Sequence, residues 1–245
     1  MANDDFNNVG KQVKDLGEAA KNMGDAAKSI ADAARTSVDT VKEVAAFVDG
    51  VFGSAISNVW GLMSDKLAYY RLEKAVELHH NVEEKLRKRG VKKRYVPVAF
   101  GLPILEKATI EDDKTLQERW ANLLANAQDA TYDKPLRRNY TSILGDMEAL
   151  DVLILNKVVG EHLASKGQPK ALYGKAKLAE ATKVPINECE NSIRNLIRLG
   201  LFKPGVVTGS IKMGGHNLTA YKDTESFDVT PMGVDFYYAV NDQAK

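Results

Sequence analysis

The chain has 245 residues, 44% apolar and 27% charged, which bounds it to a globular protein of one or two domains with room for an appendage. A formal net charge of +1 excludes the overall basic character of a general nucleic-acid binder. The single cysteine, Cys189, excludes an internal disulfide and a multi-cysteine metal site, and it fits a cytoplasmic protein with no leader pattern at its start.

Residues 9–50 repeat a seven-residue pattern six times: VGKQVKD, LGEAAKN, MGDAAKS, IADAART, SVDTVKE and VAAFVDG. A sustained 3.5-residue apolar period predicts a long helix whose seam is buried against another surface. The seam runs from Val9 and Val13 to Val44 and Val48, broken only at Ser37. Its flanks carry Gly10, Gly17, Gly24 and a row of alanines where an ordinary coiled coil carries Glu and Lys. The apolar face is therefore wide. The opposite face alternates in sign from Lys14 and Glu18 to Asp39 and Lys42, so neighbours three and four apart can pair. Each glycine costs about 1 kcal/mol against alanine in a helix interior and permits close approach by a partner helix. A helix weak alone and firm when docked follows. Its seam can meet the same chain, a second copy, or lipid on activation.

The tract Val44–Met63, VAAFVDGVFGSAISNVWGLM, is long enough to span a bilayer but carries Asp49, Ser54, Ser57 and Asn58. These argue for a buried bundle helix with conditional membrane contact. Phe47, Val51, Phe52, Ile56 and Trp60 are the candidate membrane or self-assembly residues.

A second amphipathic helix is expected over Asp65–Arg89, with Leu67, Tyr70, Leu72, Val76, Val82 and Leu86 inward and Gly90 as its stop. A basic run overlaps its end: Lys85, Arg87, Lys88, Arg89, Lys92, Lys93 and Arg94. It reads either as a solvated helix terminus favoured by the macrodipole or as a phosphate-binding patch. His79 and His80 are adjacent, so a helix separates them by about 100° and they read as surface residues rather than joint metal ligands.

Between Tyr95 and Ala130, Pro97 and Pro103 punctuate the chain. Thr115 with Glu118 forms a capping box for a helix carrying Leu116, Trp120, Leu123, Leu124 and Ala127 inward. Glu111, Asp112 and Asp113 precede it, where negative charge is favoured, and read as capping residues rather than metal ligands. Residues 136–159 continue as helix, with Leu136, Tyr140, Ile143, Leu144, Leu150, Leu153 and Leu155 apolar.

The Pro103-Ile104-Leu105-Glu106 turn, the acidic Glu111-Asp112-Asp113, Leu116-Gln117 and Trp120-Ala121-Asn122-Leu123-Leu124-Ala125 resemble the abortive infection alpha family of bacterial proteins. Ile143-Leu144 and Leu150-Asp151 extend the resemblance, which covers about residues 66–160. It implies a mainly helical fold, a role in defence against bacteriophage, and no established catalytic residues to carry over.

Residues 167–240 read as a winged helix. Leu172–Thr182 is its first helix, with Leu178 and Ala179 inward, and Val184-Pro185 is the turn. Ile186–Leu199 is the second helix, capped by Gly200. A strand at Val206–Met213, a Gly214-Gly215 hairpin turn and strands at Leu218–Tyr221 and Phe227–Val229 form the wing. Thr230-Pro231-Met232-Gly233 opens a last helix with Phe236 and Tyr237. Candidate nucleic-acid contacts are Asn191, Arg194, Asn195 and Arg198 on the second helix and Lys212 in the wing. Glu188 and Glu190 on the same helix oppose phosphate, which favours a protein-docking or scaffolding role.

No phosphate-binding glycine loop, HExxH or Gly-x-Ser-x-Gly motif is present. Cys189 and His162 stand without an obvious activating neighbour in sequence. The expected protein is mainly α, in three parts: a heptad helix region over 1–64, an abortive-infection-like helical domain over 65–165 and a small α+β winged-helix domain over 166–245. It is expected to be no enzyme, with no metal or cofactor. Its expected partners are a second copy or another protein, and a membrane surface on activation. A nucleic-acid-binding regulator dimerised by the heptads is the alternative.

Overall fold

The computed structural model describes residues 39, 40, 42–53, 68–165, 173–213 and 216–242; for 68–70, 72, 173 and 206–225 it describes the backbone alone. The heptads up to Val38, together with Ile56 and Trp60, lie outside these residues. The chain divides after Phe47 into two units. In the first, the described residues are helical. Lys42 lies 3.7 Å from Asp39, an i,i+3 pair of the kind the alternating charges imply. The seam residue Val44 and its flank Phe47 are both buried.

The second unit opens with helical residues 48–52 (α1), ended by Gly53 at φ 74°, a left-handed position that suits glycine. Helices α2 (Ala68–Arg89), α3 (Val98–Ala108), α4 (Lys114–Gln128), α5 (Tyr140–Gly145) and α6 (Ala149–Ala164) follow. Helix α4 is the axis of this unit, touching α2, α3, α5, α6 and α9 (Pro231–Val240). Every residue from Trp120 to Asp129 is buried, a pattern of a helix surrounded on all sides. On α2 the core stripe is Ala75, Leu78, Val82 and Leu86, at spacings of three and four.

Several expected boundaries move. Pro103 lies inside α3 and no turn forms at Pro103–Glu106. A mid-helix proline costs about 3 kcal/mol, here offset by burial of Phe100, Ile104, Leu105 and Ala108 on one face. The N-cap of α4 is Asp113, not Thr115: its Oδ1 accepts from the amides of Thr115 and Leu116 at 2.8 and 3.0 Å. Glu111 Oε1 accepts from the amides of Asp112 and Asp113, so two members of the acidic trio are spent on helix entry. The expected 136–159 helix is two. It breaks at Asp146–Glu148 because the Glu148 amide donates to Asp151 Oδ2 at 2.9 Å and starts a new helix. Leu153 is 48% exposed rather than inward.

The C-terminal part has a three-stranded antiparallel sheet of order β1-β3-β2, from β1 (Tyr173–Gly174), β2 (Phe202–Met213) and β3 (His216–Val229). Residue 173 is therefore strand, and the helix α7 begins at Lys175 (Lys175–Thr182). The two short strands expected after the hairpin turn are one continuous strand, in register from Met213↔His216 to Phe202↔Val229 with a bulge between Pro204 and Val206. Lys183, at φ 58°, turns the chain into α8 (Ile186–Arg198), and Gly200, at φ 75°, turns it out again. The stacked rings of Phe202 and Phe227, centroids 5.0 Å apart and both buried, weld the base of the sheet.

Candidate functional site

Three places hold the residues that sequence singled out. The first is the stretch of residues 50–53 within the apolar tract Val44–Met63. Val51 is fully buried and Phe52 nearly so. The Val51 carbonyl accepts the amide of Val96 at 2.8 Å, and the Gly50 carbonyl accepts from Gln128 Nε2 at 3.4 Å. The Phe52 ring lies against Gly101 of α3: a Cβ built on that glycine would stand 2.5 Å from Phe52 Cε1, well inside contact distance. The Tyr95 ring lies beside Gly53, where a built Cβ would meet it in ordinary contact at 3.4 Å. Residues 50–53 are thus seated by backbone hydrogen bonds and by a glycine-made notch. Phe47 is buried, in the first unit.

The second place is the outward side of α8. Arg194 is exposed and donates to Glu190 at 2.8 Å, while Glu190 also accepts from Lys175 at 3.1 Å. These two cations hold the Glu190 carboxyl below its usual range, the hydrogen bond from Arg194 being the larger cause. Asn195 Nδ2 donates to the buried Asp151 Oδ2 at 2.7 Å and to the Asp146 carbonyl at 3.0 Å. Its Oδ1 accepts from Arg198 at 2.8 Å, and Arg198 in turn lies 3.5 Å from Asp146. Ser192 donates to Asp151 Oδ1. Asp151 therefore gathers the start of α6 and one face of α8 through Ser192 and Asn195, while Arg198 stays exposed beside Asn195 and Asp146. Asn191 is exposed. It lines an open cleft of about 420 Å³ with Asp146, Glu148, Asp151 and Glu188, whose carboxylates repel a phosphate backbone. Lys212 lies in β2 opposite Asn217.

The third place is the basic run, and most of it is balanced. Lys85 pairs with Glu118, Lys88 with Glu84 at 2.6 Å, and Lys93 with Glu83 at 2.5 Å. Arg94 donates to the Ala127 carbonyl at 2.9 Å, and residues 92–94 run antiparallel to 128–130 through an isolated bridge. Arg87 and Lys92 are exposed. Arg89 is the exception to the solvated-terminus reading: its side chain is 4% exposed and reaches Asn126 Oδ1 at 2.8 Å, Asp129 at 3.5 Å and Asp242 at 2.8 Å.

Around Arg89 lies a polar network that sequence reading missed. Asn122 and Asn126, one turn apart on α4, are fully buried. Asn122 donates to the Val240 carbonyl at 3.1 Å, and Asn126 to those of Ala239 at 2.8 Å and Asn241 at 3.2 Å. Arg119 donates to Asn241 Oδ1 at 2.5 Å, and burial pulls its guanidinium below the ordinary range. These side chains take up the carbonyls left open at the end of α9. The signal in sequence was two asparagines four apart inside an apolar run.

Among the described residues no group of His, Cys, Asp and Glu is placed to hold a metal ion, and no helix is long and apolar enough to cross a membrane. The abortive infection alpha family model matches residues 71–240, most of the chain and well past the central helices that suggested it. Neither the curated proteins nor the solved structures provide a match.

Proposed function

This chain belongs to the abortive infection alpha family, whose role is defence against bacteriophage, and we infer that it acts without catalysis, by releasing its apolar N-terminal tract. In the resting form the tract is held. A trigger docking on the C-terminal helix-turn-helix and hairpin favours a second form in which it is free. The freed face, with Phe47, Val51, Phe52, Ile56 and Trp60, then joins other copies or disturbs a membrane. A trigger can do this only by binding the released form more tightly than the held one.

The observation that supports the reading is the seating of Val51 and Phe52. Two apolar side chains of the tract are buried, and the Phe52 ring occupies the space that a Cβ at Gly101 would fill. Such a joint is sensitive to small displacements of α3 and links the tract to the helical domain.

The test is a Gly101→Leu variant, which fills the notch, beside Phe52→Lys, which cannot present an apolar face. Expressed without phage, Gly101→Leu should slow growth. The purified variant should sediment as larger species or leak dye from liposomes of anionic bacterial lipid. Phe52→Lys should lose protection against phage while keeping its helical circular dichroism. A Gly101→Leu protein that stays harmless, non-leaking and of wild-type mass would contradict the release mechanism.

A further inference from the structure

Besides the face on which a trigger would dock, the hairpin of β2 and β3 has a strand edge to which the release mechanism gives no part. In the order β1-β3-β2, β2 is the edge strand. Strand β1 covers β3 only at Ser226 and Phe227, so from Val206 to Met213 the hairpin is a ribbon of two strands. Two-stranded ribbons are marginal in water by themselves, and a third strand stabilises them. Among the described residues none pairs with the outer side of β2.

Proteins usually blunt such an edge with charge, proline or a bulge. Here those devices sit at the base only: Pro204 and the bulge between Pro204 and Val206. Beyond them the sequence Val206-Val207-Thr208-Gly209-Ser210-Ile211-Lys212-Met213 is rich in β-branched residues and carries one charge. The free part of β3, by contrast, includes Lys222, Asp223 and Glu225. The two-residue connection between Met213 and His216 makes that closing pair a hydrogen-bonded one. Alternation then turns the amides and carbonyls of 206, 208, 210 and 212 to the open edge.

We propose that this edge pairs antiparallel with β2 of a second copy of the chain, about a two-fold axis at Gly209. A perpendicular two-fold requires some residue to face its own copy, and Gly209 is the choice that uses the whole stretch. It sets Thr208 against Ser210, Val207 against Ile211 and Val206 against Lys212 of the second copy. By register these positions pair a hydroxyl residue with a hydroxyl residue and a β-branched residue with a β-branched residue, and oppose no like charges, which are the favourable cross-strand combinations. Neighbouring axes are poorer: one at Thr208 sets Pro204 in the ladder, and one at Ser210 sets glycine against Ile211. The interface is independent of the N-terminal tract and is smaller than a standard-size one, so it forms at high protein concentration.

Sedimentation of the full chain at about 100 µM tests it, a concentration matched to an interface below standard size. Thr208→Lys with Ser210→Lys sets lysine against lysine at both symmetric positions, and the mass attributable to this contact should fall by half. Thr208→Lys with Ser210→Glu sets lysine against glutamate and should keep it. Both pairs load the same two positions with charge, so a general loss of folding would affect them alike. Gly209→Cys should give a symmetric disulfide band of doubled mass without reductant, since paired strands bring Cα atoms to about 4.5–5.5 Å; the native Cys189 is buried. A wild-type chain that stays monomeric, equal masses for the two double variants, or no crosslink at residue 209 would each overturn the proposal. Assembly through the heptads alone would leave all three variants at wild-type mass.

Discussion

Gly101→Ala is the sharpest probe of how the apolar tract is held. Alanine is better than glycine in a helix interior by about 1 kcal/mol, so on an open helix face the change would stabilise. At residue 101 the new methyl would stand 2.5 Å from Phe52 Cε1, 2.9 Å from Phe52 Cζ and 3.1 Å from Val96 Cγ1. Carbon atoms rest at about 3.5–4.0 Å, so the ring must retreat by about 1 Å. Overpacking of this size costs about 1–3 kcal/mol. The two effects oppose, and the net loss in global stability is expected to be about 1 kcal/mol. The local loss is larger in proportion, because Phe52 can leave its seat at a cost of about 2–3 kcal/mol in burial without unfolding the helices. Hydrogen exchange at the Val96 amide, which donates to the Val51 carbonyl, reads the seat directly. It should lose protection in the variant, while core amides of α4 keep theirs. A double-mutant cycle completes the test. With Phe52→Ala already present the two ring contacts are gone and only Val96 Cγ1 at 3.1 Å remains, so Gly101→Ala should lose most of its cost and stabilise by at most about 1 kcal/mol. An equal destabilisation in both backgrounds would refute the notch.

Asn126→Ala removes the donor to the Tyr238, Ala239 and Asn241 carbonyls and leaves Arg89 short of an acceptor; a loss of about 2–3 kcal/mol is expected in urea unfolding, with faster exchange across α9. Asp151→Ala strips partners from Ser192, Asn195 and the Glu148 amide together and should cost about 2–4 kcal/mol, with protease cuts appearing near residue 147. Gly233→Ala drives a methyl into the Leu201 carbonyl, a backbone atom that cannot rotate away, and should lower thermal stability by several degrees or abolish folding. Burial opposes ionisation of Asp129, but hydrogen bonds from the Thr131 hydroxyl and amide and the charge of Arg89 prevail and hold its carboxyl below the usual range. Its stabilising effect is therefore full above the unfolded value near pH 4 and is lost as pH falls through the lower folded value. Thr131→Val should shrink that acid-dependent loss in equilibrium unfolding between about pH 5 and pH 2.

Local chemistry was decided by the sequence. Apolar spacing marked α2, α4 and α8, the glycines at 90 and 200 marked the exits of α2 and α8, and the Thr230-Pro231 pair marked the entry to α9, where the Thr230 hydroxyl accepts from the Gly233 amide at 2.9 Å. The acidic residues before α4 announced a helix start, although the cap proved to be Asp113, because several oxygens compete there and backbone position selects one. What only tertiary structure decided is where polar side chains point. Asn195 and Arg198 had the composition of a reading helix; α6 lies against that face, Asp151 takes Asn195, and Arg198 is paired with Asn195 and Asp146. Arg89 had the sequence of a solvated end; the C-terminal residues close over it. Asn122 and Asn126 carry no motif, since their partners are backbone carbonyls more than a hundred residues away, and a carbonyl leaves no signature in a sequence. Gly101 was one glycine among 18 until Phe52 was seen against it. Periodicity reports which faces are apolar, whereas the identity of the neighbour across each face is set by the packing of distant segments.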